Sequence, residues 1–225
     1  MTRHFPRTAI GVALIGAPLL TLVSAIASPA IKGDEAAQVA VIAAHPARYY
    51  AFAIFTLAGI ILLVPALLGL MQMTRDRAPG WGNVGGTLAL LGTLIATGDA
   101  ATQLLVWQMG APGADRAEMA ALLQRYDEAL GSSLVFTIGG LAFLVGTLVL
   151  AIGLIRARAV PAVVAIGVFA GVFLNIAGFT AASAGLLIVS SVVLLASLGW
   201  IGWRVLSGSV EGGDHALVAA PLGAR

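Results

Sequence analysis

Residues 84–109 read VGGTLALLGTLIATGDAATQLLVWQM, an apolar run of helix length that holds a single carboxylic acid, Asp99. A helix of this length crosses the hydrocarbon of a bilayer. When the rest of the chain is divided into spans and loops, Asp99 is the only ionisable side chain left inside the membrane. A charge there is expensive and usually functional, so chemistry within the membrane has to pass through this acid.

The remaining composition agrees with a membrane class. The 225 residues are 60% hydrophobic and 10% charged, with a mean hydropathy of +1.01, which is too apolar for a soluble domain. Of the 12 basic residues only Lys32 is not Arg, and they are scattered at the ends of apolar runs. That distribution reads as membrane topology and not as a nucleic-acid patch. The absence of cysteine excludes disulfides, thiolate metal sites and a cysteine nucleophile. Lys32 falls in a polar loop, leaving no buried lysine for a Schiff base. A bias toward Arg, Ala and Gly points to a GC-rich bacterial genome.

Six spans are expected, at about 8–28, 49–71, 84–109, 134–155, 160–179 and 184–203, forming an all-α polytopic bundle as one membrane domain. Arg3, His4 and Arg7 precede the first run, and Ala25-Ile26-Ala27 resembles a secretory cleavage site. The run is about 20 residues, longer than the 7 to 15 usual for a signal peptide, which favours a retained helix. Pro18 and Pro65 should bend the first and second spans. Two short helices are expected between spans. Asp34 and Glu35 open one that Pro46 ends, and Asp115 and Glu118 have capping-box spacing before a stripe of Met119, Leu122, Leu123, Tyr126 and Leu130. Residues 206–225 form a Gly-rich tail expected to be disordered.

With the N-terminus inside, cytoplasmic segments hold Arg3, Arg7, Arg75, Arg77, Arg156, Arg158, Arg204 and Arg225, against Lys32, Arg48, Arg116 and Arg125 outside. Both termini are therefore expected in the cytoplasm of a multi-pass cell-membrane protein, with the two short helices on the outer side. Trp81, Trp200 and Trp203 would mark the inner interface, and Trp107, Tyr49 and Tyr50 the outer one.

On the third span Gly85, Ala89, Gly92, Ala96, Asp99, Thr102 and Gln103 share one side, a small-residue face that should meet protein. The fifth span carries a similar stripe of Gly167, Gly171, Asn175 and Gly178. Asp99 lies 15 residues beyond Val84 and Asn175 lies 15 beyond Val160. Equal depth, about 22 Å from the inner boundary, predicts that the two faces meet and that Asp99 and Asn175 form a hydrogen bond. A match of Gly85-Gly86 and Gly92-Thr93-Leu94 to Gly139-Gly140 and Gly146-Thr147-Leu148 suggests an inverted repeat.

The candidate ligand-binding residues are Asp99, Gln103 and Asn175 as the floor of an outer-facing pocket, with His45, Arg48 and Tyr49 above and the short helices as a roof. Asp99 is the candidate catalytic acid, and no metal or cofactor is expected. A metal held by His45, Asp99 and Glu128 would need three separated segments to converge. No histidine lies in a span, and no paired acidic motif or P-loop is present, which argues against a haem bundle, a Ser–His membrane protease, magnesium-dependent prenyl transfer and nucleotide chemistry.

Gly33-Asp34-Glu35-Ala36-Ala37 followed by Ala44-His45-Pro46-Ala47-Arg48, together with Pro65-Ala66-Leu67-Leu68-Gly69-Leu70, resembles uncharacterised small multi-pass bacterial membrane proteins grouped as domains of unknown function. The resemblance spans the first three helices. It implies the architecture and brings no activity. Three functions fit this reading: binding or transport of a small or lipid-like molecule at Asp99, a metal-independent enzyme acting on an isoprenoid or lipid with Asp99 as general acid, and a ligand-free accessory subunit. A closed apolar cavity at Asp99 would favour the enzyme, a polar path reaching one surface would favour transport, and a filled bundle the accessory role.

Overall fold

The computed structural model describes residues 7–29 and 34–208, apart from the side chains of Ser132 and Ser133. Lys32, the residues before Arg7 and most of the expected tail lie outside the described residues. The described chain is helical: α1 (Arg7–Ala27), α2 (Glu35–Ala44), α3 (Pro46–Thr74), α4 (Pro79–Met109), α5 (Arg116–Glu128), α6 (Leu130–Arg156), α7 (Ala162–Thr180) and α8 (Ala184–Leu206). Six of these, all but α2 and α5, are long and apolar enough to cross a membrane.

Local chemistry sets the boundaries. Asp34 Oδ1 accepts from the Ala37 amide at 2.9 Å, and Asp115 Oδ1 accepts from Ala117 and Glu118 at 2.9 and 3.2 Å, so both short helices start on a carboxylate cap. Ser183 caps α8 through the Leu186 amide. Pro46 and Pro79 occupy first-turn positions of α3 and α4, where a missing N–H costs nothing. These helices therefore begin earlier than hydropathy alone indicates. At 29 and 31 residues they are about 44 and 46 Å long, against about 30 Å of hydrocarbon, and they project beyond it. Likewise α6 starts at Leu130, immediately after α5.

The six long helices form a ring in the order α1, α3, α4, α6, α7, α8 and back to α1. Two seams of that ring bring backbones together. A Cβ on Gly85 would lie 2.9 Å from the Gly146 carbonyl oxygen, and one on Gly146 would lie 2.8 Å from that of Gly85. A Cβ on Gly92 would sit 2.7 Å from the Gly139 oxygen. The two halves of the sequence match are therefore opposite walls of one antiparallel α4/α6 seam, each glycine of one facing the other glycine of its partner. That reciprocity is the mark of a local two-fold axis. Thr93 and Thr147 repeat it, donating to the carbonyls of Ala89 and Phe143 at 2.8 and 2.7 Å. Gly11 and Gly202 meet in the same reciprocal way across α1 and α8. Lipid gives helices no hydrophobic reason to associate, so such close van der Waals contact is what holds the ring.

The stripe on α7 has a different partner from the one expected. Gly167, Gly171 and Gly178 face Ser197, Leu194 and Leu187 of α8, whereas the small-residue face of α4 meets α6. A stripe of small residues announces close packing but does not select the neighbour.

The ring is filled at one end and hollow toward the other. Leu14, Leu70, Leu150, Leu154 and Ile201, each 1% exposed or less, close the end where α1 begins. At the opposite end α2 and α5 pack on each other, with Val39, Ile42, Tyr49, Val106 and Leu123 as a second buried cluster, forming a cap over the ends of α3 and α4. Beneath it Trp107 Nε1 at the end of α4 donates to the Pro46 carbonyl at the start of α3 at 3.0 Å, and its ring lies tilted against Tyr50 with centroids 4.8 Å apart.

Candidate functional site

Between the plug and the cap lies a cavity of about 330 Å³ with walls from all six long helices. Its size is at the lower end of small-molecule sites. Most of the wall is apolar, with Phe52, Phe136, Phe143 and Phe179 supplied by α3, α6 and α7. Asp99, Gln103 and Asn175 all line it, and Asp99 is the one ionisable side chain among its lining residues. Asp99 comes ten residues before the end of α4, hence about 15 Å from the capped end.

The expected bond between Asp99 and Asn175 is not among those formed by the described residues. Asn175 Nδ2 instead donates to Ser190 Oγ on α8 at 3.3 Å, and Ser190 donates in turn to the Leu187 carbonyl at 2.8 Å. The two residues share the cavity from separate walls. Equal spacing from the expected span starts says nothing about the angular position of two helices in a ring, and the starts themselves differ, α4 beginning at Pro79 and α7 at Ala162.

The other candidates separate into two groups. Tyr49 is buried and its hydroxyl donates to Gln103 Oε1 at 2.5 Å, so it fixes one side of the cavity without being among its lining residues. Arg48 is committed to the end of α1: Nε donates to the Ala27 carbonyl at 3.0 Å and a terminal nitrogen to that of Ser28 at 3.1 Å. A guanidinium at a helix C-terminus satisfies carbonyls that have no helical partner and complements the helix dipole. His45 is exposed at the junction of α2 and α3, where its backbone N–H closes α2. Neither His45 nor Arg48 lines the cavity. Among the described residues, no three His, Asp or Glu side chains gather as metal ligands would have to.

Hydroxyls, which read from the sequence around the last two spans as helix-packing groups, Thr180 among them, also face the cavity. Thr21, Thr56, Thr93, Thr147 and Thr180 all line the cavity. Four of them donate to carbonyls of their own helix, with Thr21 bonding Ala17 at 2.9 Å and Thr180 bonding Ile176 at 3.1 Å, in the manner of Thr93 and Thr147. Their donors are spent, so what they offer the cavity is oxygen lone pairs. Asp99 adds carboxylate oxygens. The Asn175 amide nitrogen is engaged with Ser190, which leaves the Gln103 amide as the main side-chain donor on the wall. A threonine in a span carries no sequence signal that separates packing from lining a cavity; only its turn-by-turn relation to Asp99 on α4 hinted at it.

A second recess of about 330 Å³ adjoins the first and shares Ile95, Asp99 and Phe136 with it. Gly98, Thr102, Tyr126, Gly131 and Val135 complete its walls, so it lies between α4 and α6 beneath α5. Comparison of the chain with protein-family models, with curated proteins and with solved structures found no match.

Proposed function

We propose that the protein binds, and in doing so sequesters or translocates, a small amphipathic molecule whose apolar body fills the central cavity and whose polar head engages Asp99. The observation that carries this reading is the hollow ring itself: six helices that could close on one another instead surround a space lined by phenylalanine, leucine and valine, with one carboxylate in its wall. An acid used only to hold helices in register would be expected to pair across a helix interface, whereas Asp99 borders two cavities. The excess of arginine on the plug side supports an orientation with the capped end outside the cell and both termini in the cytoplasm. The ligand then enters from the outer half of the membrane.

The same apolar walls support a second reading, in which Asp99 protonates a bound isoprenoid or lipid in a dry site. One experiment addresses both. The Asp99→Asn variant keeps the side-chain shape and removes the charge and the transferable proton. Untargeted lipid and metabolite profiles of cells carrying the variant should differ from those of cells carrying the wild type. Redistribution of an unchanged molecule supports binding or transport, while accumulation of one species with loss of a chemically related one supports catalysis. Identical profiles with a variant of unaltered helicity and melting temperature would eliminate both.

A further inference from the structure

The α4/α6 seam changes character along its length. At Gly85, Gly92, Gly139 and Gly146 a single added carbon would collide with the facing helix. Toward the cap, a Cβ on Gly98 or on Gly131 would meet nothing within 4 Å, and the outer recess, lined by residues of both α4 and α6, opens as a gap between them. Its rim residues Gly98, Gly131 and Val135 are exposed, and its inner wall is the trio Ile95, Asp99 and Phe136 that also borders the central cavity.

We propose that this gap is a lateral window through which a lipophilic ammonium compound passes from the bilayer into the central cavity, with Asp99 at the threshold selecting the positive head. The inference rests on the binding function proposed above and adds to it a route and a ligand charge. The charge follows from complementarity. Among the described residues Asp99 is the one carboxylate on either wall, the recess adds only the Tyr126 phenol, no arginine or lysine lines the cavity, and four of its threonine hydroxyls have already spent their donors. A head that carries both positive charge and N–H donors satisfies those oxygens, and a neutral alcohol or a carboxylate does so less well. The route follows from geometry. A surfactant-like molecule dissolved in the bilayer arrives with its head near the interface, beneath α5 and level with the recess, where Phe136 is the side chain that can turn aside, while Ile95 packs on Gly139 and marks the edge of the glycine seam.

The test uses the full-length protein in phosphatidylcholine nanodiscs, with decylamine and decanol as probes and empty nanodiscs subtracted. Wild type should bind decylamine at least tenfold more tightly than decanol, and Asp99→Asn should reduce that preference to about twofold or less. Because the chain has no cysteine, Gly98→Cys provides a unique thiol in open space that a membrane-soluble maleimide can block. Blocking should slow decylamine association at least tenfold relative to the unmodified variant while leaving its equilibrium affinity within about threefold. An unchanged association rate after complete modification would overturn the window. Equal affinity for the two probes would overturn the ammonium selectivity and leave the cavity a binding site. Failure of both probes to bind would remove the underlying function with it.

Discussion

At the scale of single residues, the cavity depends on side chains that never enter it. Tyr49 reaches from α3 to Gln103 on α4, and Ser24 on α1 is hydrogen-bonded to Thr56 and to the Phe52 carbonyl on α3, so neighbouring staves of the ring are tied beside the space they enclose. Tyr49→Phe removes one such tie but leaves the freed Gln103 oxygen beside a cavity that water can reach. The expected cost is about 0.5–1 kcal/mol, in line with interhelical hydrogen bonds in membranes, and denaturant titration in detergent micelles would measure it. Arg48 shows how a residue type misleads. A basic group above an intramembrane acid reads as a ligand clamp, but the carbonyls at the end of α1 are closer and unsatisfied, and they take all the guanidinium contacts formed.

At the scale of elements, the glycine seam and the cap make opposite predictions. Gly146→Val forces side-chain atoms into the α4 backbone at Gly85 and Ala89 and should destabilise the ring by about 1–3 kcal/mol, whereas Gly98→Val on the open stretch should leave the melting temperature nearly unchanged. The contrast between the two variants is the measurement. The cap is held differently. Asp127 of α5 has its carboxyl raised above the ordinary value of 3.8, first by burial and then by the negative charge of Glu35 on α2. An acid whose folded pKa is raised stabilises the docked state when protonated, so the α2/α5 contact is strongest below the ordinary value and weakens as pH rises through the raised one. Amide exchange in α5, corrected for intrinsic rates, should therefore show protection that declines with pH across that window. Asp127→Asn should flatten the decline, and a wild-type protection already independent of pH would refute the coupling. None of this was visible in the capping-box and stripe pattern, which foretold α5 itself but not its contact with α2.

At the scale of the molecule, Ala96→Phe places a ring in the cavity and should abolish probe binding while helicity and assembly persist, as judged by circular dichroism and size exclusion. The six helices long and apolar enough to span a membrane and the positions of the two short ones were legible in the sequence because hydropathy and caps each report on a residue's own surroundings, whereas a hollow and a filled bundle read alike. The order of helices around the ring was not, since Gly85 and Gly167 carry the same message, close approach, without an address. Asn175 was assigned the wrong neighbour for that reason. The plug of Leu14, Leu70, Leu150, Leu154 and Ile201 carries a further consequence. A constriction of packed leucine and isoleucine stays dry, and a dry constriction passes neither ions nor water. Planar bilayers containing the purified protein should show no conductance steps at any voltage, and vesicles loaded with a pH dye should hold their gradient.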